Sequence, residues 1–173
     1  MSVQWPENLP ERVEPDGHEN ERASLDGWIA YHRATLLMKC AGLSEEQLKL
    51  RSAAPSNLTL LGLVRHMTEV ERGWFRIQAA KEQLEYPYST KESPEADLLE
   101  VQSADASADL ALYVAECQHA QAALSRVELD TIIHRNGRWF DVRWIYLHMI
   151  EEYARHNGHA DLLRELIDGA TGD

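Results

Sequence analysis

The stretch from Asp141 to Glu165, DVRWIYLHMIEEYARHNGHADLLRE, limits what this chain can become more than any other. At 100° per residue, Val142, Ile145, Met149, Tyr153, Ala160, Leu163 and Ile167 share one arc of about 80°, the core-facing stripe of a long packed helix. His156 falls inside that arc, and Glu152, one turn earlier, lies at its edge beside Ile145 and Leu163. A carboxylate withdrawn from water is costly unless it is paired or bound to a cation, so the helix must supply partners for both groups or present them to a site.

The rest of the chain supplies helices to pack against that stripe. Glu19 to Cys40 places Leu25, Trp28, Ile29, His32 and Leu36 on one face, with Gly42 just beyond its end. Ser44-Glu45-Glu46-Gln47 spells a capping box that opens a short turn to about Leu50. After a break around Pro55, Leu60 to about Lys81 carries Leu60, Leu63, Val64, Met67, Val70, Trp74 and Ile77 at packing distance. Asp105 to Val127 forms a further helix, with Leu110, Val114, Cys117 and Leu124 inward and His119 outward. Asn136-Gly137 between short apolar runs is a hairpin signal, and Asp141 caps the last helix, which ends near Ile167 before Gly169. Glu82 to Ser103, with Pro87 and Pro94, has no period and reads either as a functional lid or as a disordered excursion. The expected fold is all-α: a four-helix bundle over 19–168 with a short hairpin before the last helix. An extended lead-in, 1–18, precedes it and a frayed end, 169–173, follows.

Charge removes some classes of function. Twenty-nine acidic against seventeen basic residues give a net charge of −12, which repels phosphate backbones and anionic lipid; neither nucleic acid nor a membrane is an expected partner. With no signal-like N-terminus and no apolar run of membrane-spanning length, the expected location is the cytoplasm. Cys40 and Cys117 lie in helical patterns and read as buried, reduced thiols. No G-x-S-x-G, Walker loop or G-x-G-x-x-G occurs, and His148-Met149-Ile150-Glu151 is not the zinc-protease H-E-x-x-H. The five tryptophans read as core and site-wall residues.

His66 stands beside the stripe of its helix, with Gly62 four residues before it and Gly73 seven after on the same side. Mid-helix glycines cost about 1 kcal/mol each relative to Ala, which points to close approach of a ligand or another backbone. His66 together with Glu152-x3-His156 matches a divalent metal site: spacing of four stacks two donors on one helix face and a second helix adds a third. Two imidazoles and a carboxylate leave coordination positions open, as in catalytic sites, and suit zinc first, or another first-row ion such as nickel. The plainer alternatives are a hydrogen-bonded core histidine at 66 and a buried Glu152–His156 pair satisfied by Arg or Tyr. His148 and His159, on the shoulder of the helix, are hydrogen-bond donors behind the ligands, substitute ligands or solvated groups. His32 lines the same cavity or bonds within the core, and His18, His119 and His134 are surface or loop residues.

The runs Tyr31-His32-Arg33-Ala34-Thr35-Leu36-Leu37, Leu60-Leu61-Gly62-Leu63-Val64-Arg65-His66 and His148 to Glu165 together resemble the DinB-like (DinB/YfiT-like) superfamily, from about Glu19 onward. The nearest likeness within it is to the actinobacterial branch that includes the mini-circle protein. That superfamily is a four-helix bundle with a metal triad, and it includes bacillithiol transferases and the bundle domain of mycothiol-dependent maleylpyruvate isomerase. The resemblance implies His66 as the second-helix ligand and Glu152 with His156 as the last-helix pair. The family's frequent H-R-G-Q appears here as His156-Asn157-Gly158-His159. With no second, thiol-binding domain after Asp173, a complete isomerase site is not expected. The expectation is a metal-dependent enzyme, a thiol S-transferase or hydrolase, that activates water or a low-molecular-weight thiol such as mycothiol for transfer to a small electrophile. The alternative is a non-catalytic metal-binding or structural bundle, with a homodimer as one form it could take.

Overall fold

The computed structural model describes residues 3–6 and 9–172. Parts of the expected lead-in (Met1, Ser2, Glu7 and Asn8) and of the expected frayed end (Asp173) lie outside the described residues. Six helices and one hairpin follow one another: α1 (Glu21–Cys40), α2 (Glu45–Leu48), α3 (Leu60–Glu71), α4 (Ala96–Leu99), α5 (Ala106–Leu124), β1 (Ile132–Arg135), β2 (Arg138–Asp141) and α6 (Val142–Asp168). The architecture is mostly helical, and among the described residues no helix is long and apolar enough to cross a membrane.

Local chemistry sets the boundaries of the longer helices. Asn20 and Thr59 cap α1 and α3 by accepting the N–H groups of Ala23 and Gly62, and Ser44 with Gln47 forms the expected capping box. Asp141 accepts the Trp144 N–H at 2.7 Å, and Gly169, in the left-handed region at φ 78°, closes α6. The hairpin turns on Asn136 and Gly137, both at positive φ, with Arg135 paired to Arg138.

α1 packs along α6 and α3 along α5, with α3 also against α6. Leu36, Leu63, Met67, Leu110, Ile145 and Met149 are fully buried where these helices meet. On α5, Val114 and Cys117 are partly buried against the core, as expected, and Tyr113, Glu116 and Ala120 are buried beside Leu110 and Leu124. Two expectations about side chains need correcting. Asn157 is more deeply buried than His156 on α6. Trp139 is 72% exposed and Trp28 37%, so only some of the tryptophans line core or site. Both cysteines are free, and burial pushes each thiol up to about 12.

The expected second helix has the right extent and the wrong character in its second half. α3 runs without a break into a π-helical stretch, Arg72–Ala79, where the Ala80 N–H bonds back to the Phe75 carbonyl. Arg72 and Arg76 on this wider turn reach one buried carboxylate, Glu116 of α5, at 2.6 and 3.0 Å.

A second buried carboxylate, Glu71, accepts two 2.7 Å bonds from Arg33 and one of 2.6 Å from the Tyr153 hydroxyl, which lies 2.9 Å from that of Tyr113. The carboxylates this core surrounds most completely are thus Glu71 and Glu116 rather than Glu152, and each is neutralised by arginine.

The segment 82–103 is fastened down and is not a disordered excursion. The Tyr88 and Ser89 N–H groups donate to Glu69, the Tyr88 hydroxyl donates to Asp109, and Arg65 donates to the carbonyls of Ala96 and Asp97. The glycines flanking His66 explain how the segment comes so close. A Cβ on Gly62 would lie 2.6 Å from the Leu98 carbonyl oxygen, and one on Gly73 would lie 2.8 Å from the Tyr86 hydroxyl. Gly62 therefore accommodates another backbone, and Gly73 an aromatic ring.

Candidate metal centre

α3 and α6 carry His66, Glu152 and His156 to one place, where one ligand atom from each lies within 4.8 Å of the others. Glu152 Oε2 is 3.4 Å from His156 Nε2, and the rings of His66 and His156 meet edge to face with centroids 4.8 Å apart. The side chains are 22%, 19% and 12% exposed for His66, Glu152 and His156, so the group is mostly withdrawn from solvent but still reachable. These are the three residues singled out by spacing.

Each histidine has a residue behind it. His66 Nδ1 lies 2.7 Å from Asp97 Oδ2; an ionised carboxylate only accepts, so the ring proton sits on Nδ1 and Nε2 carries the free lone pair. Burial alone would raise Asp97, but the hydrogen bond from His66, with the Leu98 N–H, holds it below the usual carboxylate value. His156 turns Nε2 to Glu152 and places Nδ1 3.4 Å from His159 Nδ1. Burial first, and then the imidazoles of His66 and His159, push His156 down to about 4, so it is a neutral donor at pH 7.

The remaining histidines sort by position. His148 stacks on Trp144 at 5.0 Å, meets Trp74 edge-on at 4.7 Å, and has Nε2 3.8 Å from the other oxygen of Glu152. His159 stands behind His156. His32 is not at the site: it stacks on Tyr153 and receives the Asn157 amide at its carbonyl and ring nitrogen. His18, His119 and His134 are exposed. Asp97 escaped the sequence reading because it sits on a single turn inside an aperiodic segment, where no spacing marks it.

Two imidazoles and one carboxylate, with orienting groups behind the imidazoles, fit a divalent cation with open positions. Beside His66 a cleft of about 290 Å³ is lined by Val70, Trp74, Tyr86, Pro94 and Arg135 among others, giving space for a small molecule next to those positions.

A family model described as Mycothiol-S-transferase matches residues 24–169, a span that takes in both helices of the triad. No curated protein matches the chain.

Proposed function

From a chain that belongs to the mycothiol S-transferase family, within the DinB-like superfamily, we propose a metal-dependent S-transferase acting on mycothiol and a small electrophile. The four long helices α1, α3, α5 and α6 are read as a four-helix bundle, and His66, Glu152 and His156 as the ligands of one divalent ion, zinc first and nickel second. The observation that carries this reading is the convergence of those ligand atoms within 4.8 Å beside an open cleft.

When bound, the cation supplies Lewis acidity, which lowers the pKa of a thiol held beside it into the neutral range. The chain's own residues do the rest. Asp97 fixes the His66 tautomer, and Glu152 offsets part of the cation's charge. Trp74, Val70 and Pro94 exclude water from one side of the cleft and hold the electrophile near the sulfur. The thiol proton leaves to solvent.

Protein purified without a nickel resin should contain about one equivalent of divalent metal and consume mycothiol with a small electrophile. His66→Ala and Glu152→Ala should lose metal and turnover together. Stoichiometric metal with no turnover across a panel of electrophiles would overturn the transferase reading, and metal retained in both variants would overturn the ligand assignment.

A further inference from the structure

Most arginines of this acidic chain are spoken for. Arg33, Arg65, Arg72, Arg76, Arg143, Arg155 and Arg164 each contact a carboxylate. Arg135 does not: its guanidinium lies over the Trp74 ring, 4.5 Å from the centroid, with no carboxylate partner among the described residues. It is also a wall of the cleft that holds His66. In a protein of net charge −12, an unneutralised cation beside the reacting centre is a strong constraint on what that cleft accepts.

The hairpin fixes this cation in place. Ile133 of β1 is fully buried, the Asn136-Gly137 turn sets the register, and the last β1 residue before the turn is Arg135. Its seat over the Trp74 ring restrains the guanidinium, whose fork of N–H donors matches a planar, two-oxygen acceptor. The acids that share the cleft are engaged: Glu69 accepts the Tyr88 and Ser89 N–H groups at 2.8 and 2.7 Å, and Asp97 accepts from His66 at 2.7 Å. The other walls are flat or apolar, namely Trp74, Tyr86, Val70 and Pro94.

We propose that the cleft binds a flat apolar molecule bearing a carboxylate, with the carboxylate on Arg135 and the ring against Trp74. Its role as the acceptor in thiol transfer rests on the S-transferase reading; the anion-binding subsite rests on Arg135 and is measurable without turnover.

The binding arm uses quenching of tryptophan fluorescence in the metal-loaded protein by nitrobenzoate and by neutral nitrobenzene. Nitrobenzoate should bind at least about tenfold more tightly, the size of a charge-assisted hydrogen bond. Arg135→Gln should erase that preference with an unchanged thermal midpoint, and Arg135→Lys, which keeps the charge without the planar fork, should retain part of it. Equal affinity for the two probes, or a preference that survives Arg135→Gln, overturns the proposal.

The catalytic arm uses mycothiol with a chloronitrobenzoate or the matching chloronitrobenzene: the sulfur–carbon bond forms as chloride leaves, and the thiol proton passes to solvent. Arg135→Gln should raise KM for the carboxylated substrate about tenfold more than it raises KM for the neutral one, with kcat for the carboxylated substrate changed far less than its KM. A drop in kcat for both substrates with KM unmoved would assign Arg135 to the chemistry and sink the subsite. No turnover of either, with the nitrobenzoate preference and its dependence on Arg135 intact, supports the subsite and instead rejects the transferase reading.

Discussion

Asp97 holds His66 by a 2.7 Å bond across thirty-one residues of chain, and Arg65, next to His66, donates to the carbonyls of Ala96 and of Asp97 itself. His66 and the carboxylate behind it are therefore fixed by two adjacent residues of α3 gripping one turn, α4.

Removing that carboxylate should weaken the cation more than the fold. Asp97→Ala is expected to lower metal affinity by about 10- to 100-fold, read by competition with a calibrated chelator, with Asp97→Asn falling between variant and parent. Unaltered affinity in both would mean that Asp97 does not orient the ligand.

The two helical glycines should respond oppositely to the same added methyl. In Gly62→Ala the new Cβ meets the Leu98 carbonyl at 2.6 Å, so α4 must shift and take Asp97 with it. A loss of about 1–3 kcal/mol, together with weaker metal binding, is expected. Gly158, in α6, has nothing within 4 Å of that position, and Gly158→Ala should stabilise by about 0.5–1 kcal/mol. Urea unfolding distinguishes the two.

At the centre of the core, Glu71→Ala leaves the Arg33 guanidinium buried without its carboxylate. The expected cost is about 3–5 kcal/mol, whereas Arg33→Met combined with Glu71→Leu should cost far less, because no charge is then left unpaired. A double variant as unstable as Glu71→Ala would show that shape, not charge, dominates there.

His156 makes the metal-free protein acid-sensitive. Its imidazole takes up a proton near 6.5 in the unfolded chain and only at about 4 in the folded one. Between those values the unfolded state binds more protons, so stability falls as pH drops through this window and rises again with pH. His156→Gln should flatten the dependence of the urea midpoint on pH between 6.5 and 4. An unchanged slope in the variant would place the acid sensitivity elsewhere.

What was legible in the sequence follows from what periodicity can carry. The α6 stripe, the caps at Ser44 and Asp141 and the Asn136-Gly137 turn depend on residues within a few positions of one another, and all four appear where local spacing predicts them. Spacing also brought forward His66, Glu152 and His156 as one group, since two share a helix face and the third stands on the helix packed against it. Asp97 and Arg135 were not legible, because each reaches the cleft through a tertiary contact. Glu71 had a weak signal, four residues after buried Met67 and four before buried Phe75, and Arg33 stands likewise between Ile29 and Leu37. Nothing in the composition of Arg72–Ala79 announced a π-helix.

That wider turn makes the cleft sensitive to chain length as well as to side-chain identity. Deleting Gly73 would let the stretch rewind to ordinary α geometry, and the residues that follow within it, Trp74 first, would swing by about 100° while the chain beyond the stretch keeps its phase. Trp74 would then leave Arg135 and His148 without their shared ring. A single-codon loss there would dismantle the pocket wall while all three candidate ligands kept their identities.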